Sequence, residues 1–545
     1  MQADYVIVGA GSAGCVLAAR LSEDPNISVI LIEAGGHDAR LSVQVPGGFI
    51  KTMVNPKINW MYQTEPEAEL QGRRMNMPRG RLLGGTSSIN GMLYVRGQKE
   101  DFDSWEAAGN KGWSYDSVLP YFLKSQNGQE LLQSARINGQ QIDPQYHGQL
   151  GPLSVSGLRL GSNILDEVCA AAEQVGYSRN DDYNGHSQSG FGYFQVTQKN
   201  GQRHSAYRAF LHPVRSRKNL TIIKNATAMQ LIFEGQSNRR ICGVQIHHHG
   251  QNRQISSMRE VILSAGAFGS PQLLELSGIG RPDIIAAQGI EVRHQLEGVG
   301  ENLSDHFLTR LTWRLAKNTS LNETSRGVAL LKELARYALF RTGSLSLTAG
   351  LLAGFISSDP KIARPDIQYH IAHASFANPA KRIFDRFPGL TIGPCQLRPE
   401  SRGFVHIRSS DPFAAPAIQP NYLHAERDKA VLVAGLRIAR KIMEAPALNG
   451  LALAEERPGS AAQSDAELLA FARETGNTVY HPACSCRMGP DARAGDVVDA
   501  ELRVHGLAGL RIADASVMPI ITSGNTHAPT VMIAEKAADM IRAAN

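Results

Sequence analysis

The sequence predicts a mixed α/β fold, α+β in overall composition, divided into two domains, and three observations carry that prediction. The chain has 545 residues, more than one hydrophobic core normally supports. Its first 35 residues alternate strand, turn, helix and strand. Further on, short β-rich runs give way to a segment that mixes helical and strand patterns.

In order, residues 5–8 read as a strand, Gly9-Ala10-Gly11-Ser12-Ala13-Gly14 as a turn, residues 15–21 as a helix and residues 27–32 as a second strand. This is a βαβ unit. Residues 220–223, 229–233, 244–246 and 261–263 read as strands separated by polar, glycine-containing turns, a meander packed beside the first unit. The stretch 311–469 has no glycine fingerprint and mixes helical runs (330–340) with strands (367–370), as a second domain would. The chain ends on a strand at 510–513 and a helix at 529–544 opened by Pro529 at its first position.

Composition narrows the function. The chain is 42% hydrophobic and 19% charged, and its formal charge of +6 is spread along its length rather than gathered into basic runs. That excludes a nucleic-acid binder and fits a globular enzyme. Six cysteines, Cys15, Cys169, Cys242, Cys395, Cys484 and Cys486, are few and unevenly spaced, and are expected as reduced thiols. No apolar run reaches the roughly 18 residues a spanning helix needs. The sequence enters an apolar strand at Tyr5 with no signal-like segment before it. The expected location is the cytoplasm, with at most peripheral contact at the inner face of a membrane.

Gly9, Gly11 and Gly14 permit a tight turn, close approach of the backbone to a pyrophosphate and close helix packing, while the helix N-terminus offers free N–H groups. Glu33 follows Gly14 by 19 positions and suits a carboxylate that accepts from a ribose hydroxyl and repels a 2′-phosphate. The pattern predicts dinucleotide binding without separating FAD from NAD.

The separation comes from residues 80–94, whose core Gly84-Gly85-Thr86-Ser87-Ser88-Ile89-Asn90-Gly91 is dense in glycine and hydroxyls and suits a second face of a large cofactor. A second segment, 266–280, contains Gly269-Ser270-Pro271-Gln272; read alone, it places Ser270 at a helix N-cap, Pro271 at the first helical position and Gly278 at the end. With Gly298-Val299-Gly300-Glu301-Asn302-Leu303, Tyr480-His481-Pro482 and Asp514-Ala515-Ser516, these segments resemble the glucose–methanol–choline oxidoreductase family along nearly the whole chain.

The resemblance implies a Rossmann-like FAD-binding domain (1–155, 196–310 and 470–545) and a discontinuous substrate domain (156–195 and 311–469) built on an antiparallel sheet with helices. It implies FAD contacts at Gly9, Gly11, Ser12, Ala13, Gly14, Glu33, Ala34, Gly85, Asn90, Gly91, Met92, Leu93 and Thr530, with Trp60, Ala228, Asp514 and Ala515 as further contacts. Ile89 stands where some members carry a histidine bonded to the flavin, so the FAD is expected to be noncovalent. His481 is implied as the base that takes the hydroxyl proton of an alcohol while hydride passes to flavin N5, and His527 as the second group on the same oxygen. A helix starting at Pro529 would direct its positive end at the flavin.

His527 at a position often held by asparagine in the choline branch points to a neutral primary alcohol with an aryl or alkyl body, oxidised to the aldehyde, with oxygen or a quinone as acceptor. Choline dehydrogenation, an FAD-containing hydroxynitrile lyase and an NAD-dependent dehydrogenase are the alternatives. A zinc site at His481, Cys484 and Cys486 lacks further ligands at usual spacing, so no metal is expected. His247-His248-His249 beside Gly250 reads as an exposed hairpin.

Overall fold

The computed structural model describes residues 1–235, 239–316, 320–378 and 383–544. The first sheet is built around β1 (Gln2–Val8), followed by α1 (Ser12–Leu21) and β2 (Val29–Glu33), then β3 (Leu220–Lys224), β4 (Ala226–Phe233), β5 (Ile241–His248), β6 (Gln251–Leu263) and α2 (Gly266–Leu276), with β7 (Leu510–Ile512) returning late in the chain. Its order is β3-β2-β1-β6-β5-β4, with β7 also on β6. β3, β2, β1, β6 and β7 are parallel neighbours, whereas β4, β5 and β6 form an antiparallel meander. β6 joins the two patterns: residues 251–256 pair with β5, and residues 256–263 with β1. Only its apolar end, residues 261–263, was expected as strand; residues 251–260 are mostly polar, with only Ile255 and Ser257 buried, which hides strand character from a hydrophobicity reading.

β1 from Tyr5 to Val8 and β2 from Val29 to Ile32 are apolar and buried throughout, as strands covered on both faces require. They are buried with α1 and with the helix that ends the chain in one core.

The second sheet is antiparallel throughout. It contains Gly190–Tyr193, Leu311–Leu315, Leu352–Ile356, Ile367–Ala372, Gly389–Gln396 and Ala452–Arg457. Two short strands, Phe307–Leu308 and Asn477–Thr478, also pair here, although both lie in segments expected in the first domain. Each has two residues and carries the chain from one sheet to the other. α4 (Glu426–Met443) covers this sheet, and α3 (Gly327–Phe340) packs against the short helical turns at Leu321–Thr324 and Ser344–Ser346.

The last helix, α5, spans His527–Ala543, two residues earlier than expected. Pro529 is therefore its third residue, a position whose N–H has no intrahelical partner to lose. α2 departs further. It starts at Gly266, so Ser270 and Pro271 lie inside it. The Asp514 carboxylate accepts from the Gly266 N–H at 2.8 Å and from the Ser270 hydroxyl at 2.6 Å, capping the helix from a distant segment. The Ala267 carbonyl, which an N–H at position 271 would have met, accepts the Ser485 hydroxyl at 2.6 Å, which removes much of the penalty of an interior proline.

All six cysteines are unbonded. Among the described residues, no helix is long and apolar enough to cross a membrane, and no group of His, Cys, Asp and Glu is arranged to hold a metal. His248 ends β5, and His249 and Gly250 turn the chain into β6 with positive φ.

Candidate active site

A cavity of about 1140 Å³ is lined by residues of both sheets. On its wall are Gly9, Gly11, Ser12, Ala13, Glu33, Ala34, Trp60, Gly85, Asn90, Gly91, Met92, Leu93, Ala228, Asp514, Ala515 and Thr530, together with His481 and His527. Of the residues expected at the site, only Gly14 is off the wall. A Cβ on Gly14 would stand 1.8 Å from the Gly9 carbonyl oxygen, so this glycine lets α1 pack on the turn. Gly85 has φ 51°, and a Cβ there would lie 2.7 Å from Gly11 Cα. The two glycine segments thus meet at one point.

The nucleotide end is prepared for hydrogen bonding. One Glu33 carboxylate oxygen accepts from the Ala10 N–H (2.9 Å), the other from the Gly35 N–H (2.8 Å). Burial lifts its pKa to about 7 against the lowering by those bonds. Asp514 also accepts from the Ser516 N–H and hydroxyl through Oδ1, so one carboxylate oxygen holds the turn at 514–517 and the other caps α2. Trp60 stacks on Tyr62 with centroids 5.7 Å apart, and the Arg81 guanidinium lies over the Trp60 ring.

His481 lies on the same cavity wall. Tyr480, in the left-handed region at φ 68°, turns the chain into it, and the Arg79 guanidinium holds the Tyr480 carbonyl at 2.7 Å. Asp305 fixes two histidine backbones at once: its Oδ1 accepts from the N–H of His306 (2.9 Å) and of His481 (2.7 Å), and its Oδ2 from the hydroxyls of Tyr422 and Thr478 (both 2.5 Å).

The side-chain contacts then set the tautomer. His306 Nε2 faces the Leu397 carbonyl at 2.9 Å, a pure acceptor, so Nε2 carries the proton and Nδ1 of neutral His306 is left as an acceptor. His481 Nδ1 lies 3.0 Å from that nitrogen and must donate to it. His481 Nε2 is therefore unprotonated, and the Asn525 amide donates to it at 2.9 Å. The Gln368 amide donates to Asn525 Oδ1 at 3.2 Å, which fixes the orientation of the Asn525 amide. Burial, with His306, His370 and Arg79 adding to it, holds the His481 pKa well below 6.5; burial takes His306 to about 4. Both rings are neutral at pH 7.

The expected pairing of His481 with His527 is not what the structure holds. His527 is the first residue of α5 and its Nδ1 lies 3.1 Å from the Ser12 hydroxyl, at the start of α1. Its Nε2 is buried without a protein partner, and burial, with Arg203 adding to it, lowers its pKa to about 4. The reason is helical geometry. Asn525 precedes the Thr526 cap and is directed by the loop, whereas the residue opening the helix is turned to the neighbouring helix start. Asn525, His306 and Asp305 were not singled out in the sequence. Asn525 lies two positions before His527, and an asparagine just ahead of a helix cap was a signal for it.

The residues fit FAD: a cradle that a Cβ would fill, a buried carboxylate at the ribose position, an unpartnered histidine nitrogen at two helix starts, and a cavity reaching from there to His481. Met92 lies on its wall, while Met532 is packed in the core.

Comparison with known proteins agrees. Family models described as GMC oxidoreductase match residues 3–308 and 399–534. An oxygen-dependent choline dehydrogenase of Vibrio vulnificus is 40% identical over 99% of this chain and 94% of its own length. An alcohol dehydrogenase [acceptor] of Pseudomonas putida is 40% identical over 99% and 95%. Among solved structures, pyridoxine 4-oxidase from Mesorbium loti aligns with a TM-score of 0.86 at 30% identity, covering 98% of each chain. A formate oxidase of Aspergillus oryzae RIB40 aligns with a TM-score of 0.91 at 27% identity, covering 100% of this chain and 98% of the other. The chain is an FAD-dependent oxidoreductase acting on CH–OH donors and belongs to the GMC oxidoreductase family.

Proposed function

We propose that His481 is the catalytic base, that Asn525 is the second group holding the substrate oxygen, and that the preferred substrate is a neutral primary alcohol with an apolar aryl or alkyl body, oxidised to the aldehyde. The observation that carries the first two roles is the ordered chain from the Leu397 carbonyl through His306 to an unprotonated His481 Nε2 facing Asn525. Nε2 accepts the hydroxyl proton, and the imidazolium formed keeps its Nδ1–H on His306. The Asn525 N–H turns to the alkoxide oxygen and stabilises the charge that develops there. When bound, FAD supplies the acceptor for the hydride that leaves the carbinol carbon.

Charge on the wall supports a neutral substrate. The described lining residues include the cations Arg73, Arg74, Arg79, Arg310 and Arg457 against the acids Glu33, Glu333 and Asp514. Each acid accepts backbone N–H groups of its own. A quaternary ammonium entering there would lose hydration without a counter-charge. Leu345, Leu347, Ala349 and Leu351 add an apolar wall.

Asn525 in place of His527 removes one ground for this reading, since no second protonatable ring faces the substrate, and the likeness to the choline dehydrogenase of Vibrio vulnificus favours choline as the second reading. Rates decide between them. With one electron acceptor, kcat/KM for choline is expected to fall below that for benzyl alcohol and for a medium-chain primary alcohol by about tenfold or more, roughly 1.4 kcal/mol in transition-state binding. A choline value equal to either would overturn it.

The FAD is held noncovalently in this reading, because Ile89 offers no nucleophile on the cavity wall. Acid precipitation should leave the yellow colour in the supernatant; a yellow pellet would refute it. Oxygen or a quinone takes the electrons onward, which reoxidation rates with each will separate. The protein works in the cytoplasm in this reading.

A further inference from the structure

Helix α3 carries its apolar stripe on the wrong side for a core. Of its described residues only Tyr337 is buried, its hydroxyl donating to the Gly201 carbonyl at 3.0 Å. Val328 is 70% exposed, Leu331 64%, Leu339 74% and Phe340 68%. At 100° per residue, Val328, Leu331, Ala335, Ala338 and Leu339 fall on one face, directed away from Tyr337 and Leu330. Lys332 and Arg336 run along one flank of that stripe. Residues 326–341 hold four cations, Arg326, Lys332, Arg336 and Arg341, against one acid, Glu333. That acid accepts the Ser344 N–H, lies 3.8 Å from the Arg336 guanidinium and lines the cavity with Leu330, so the segment keeps an excess of three cations.

We propose that α3 is an interfacial helix that seats the protein on an anionic lipid surface, so that the active-site cavity takes an apolar alcohol or a quinone at the edge of the bilayer. An exposed apolar stripe flanked by Lys and Arg is what an in-plane helix presents to acyl chains and acidic headgroups. Continuity with the cavity supports the same occupant. The inner face of α3 lines the cavity, as do Val54 and Met61, both themselves exposed. A bilayer fits the excess of cations, which a second copy bearing the same charge would not.

The surface stands whether or not the alcohol reading holds, and the test reads binding rather than turnover. The FAD-loaded protein is expected to float with vesicles of equal parts phosphatidylglycerol and phosphatidylcholine, to float little with phosphatidylcholine alone, and to detach in high salt. Leu331→Glu combined with Leu339→Glu should weaken flotation at least about tenfold, as two buried apolar side chains are lost. The same variant should keep the parent melting temperature and the parent kcat/KM on a water-soluble alcohol. As a second readout, Leu331→Trp should shift its emission to the blue on anionic vesicles. Absence of parent flotation, undiminished flotation of the double variant, or no shift at Trp would each overturn the proposal. So would a concentration-dependent dimer, seen by light scattering and broken by the double variant, without vesicle binding.

Discussion

His481→Ala is expected to slow anaerobic flavin bleaching by an alcohol by about 10²–10⁴-fold, the usual contribution of a general base, with FAD still bound. FAD retention follows because the glycine cradle and Glu33 share no hydrogen bond with His481. A rate within about tenfold of the parent would remove His481 from the chemistry. Bleaching by an alcohol also separates oxidation from a lyase reaction, in which no net reduction occurs. The parent enzyme carries a pH signature. The base must be unprotonated, so activity falls as pH falls through its pKa, and burial holds that pKa well below 6.5. kcat/KM should therefore be flat from neutrality downward past pH 6.5 before it declines. His306→Ala removes the acceptor that orients His481 Nδ1–H, so it should lower kcat and allow the other tautomer.

The elements legible in the sequence were those with a short, local signal. The βαβ unit is announced by apolar runs around three glycines, and the structure places β1, α1 and β2 within a few residues of the expected spans. The polar half of β6 was hidden because its strand character comes from pairing with β5 rather than from hydrophobicity. α2 was misplaced for a similar reason. Ser270-Pro271 has the local form of a helix start, but Asp514, some 240 residues away, caps the helix one turn earlier, and Ser485 occupies the carbonyl that proline leaves free.

The site divides along the same line. The glycines, Glu33 and His481 stand in motifs that a sequence displays directly. The choice between Asn525 and His527 depends on the direction of two side chains two positions apart, on either side of a helix cap, which motif position alone does not give. His306 is a neighbour of His481 through Asp305, whose carboxylate binds both backbones across 176 residues of chain, and no spacing rule reaches that far.

Asn525→Ala and His527→Ala should separate the two roles. If the Asn525 amide stabilises charge on the substrate oxygen, its loss costs about 10²–10³-fold in kcat, as for other single donors to a developing oxyanion. His527→Ala breaks the contact with Ser12 at the starts of α1 and α5. Its effect should appear first in FAD retention and leave kcat of the loaded enzyme within about tenfold of the parent, the range below a general acid–base contribution. Asn525→Asp adds a readout that a packing role would not move. It keeps the size of the side chain and the acceptor for Gln368, but sets a carboxylate oxygen where the amide nitrogen now stands, 2.9 Å from His481 Nε2. A negative charge there favours the imidazolium and raises the His481 pKa. The acid limb of the kcat/KM profile should then move to higher pH, and activity near neutrality should fall with the loss of both the donor and the free base. A larger kcat loss in His527→Ala than in Asn525→Ala, or an Asn525→Asp profile with its acid limb unmoved, would return the second catalytic position to His527.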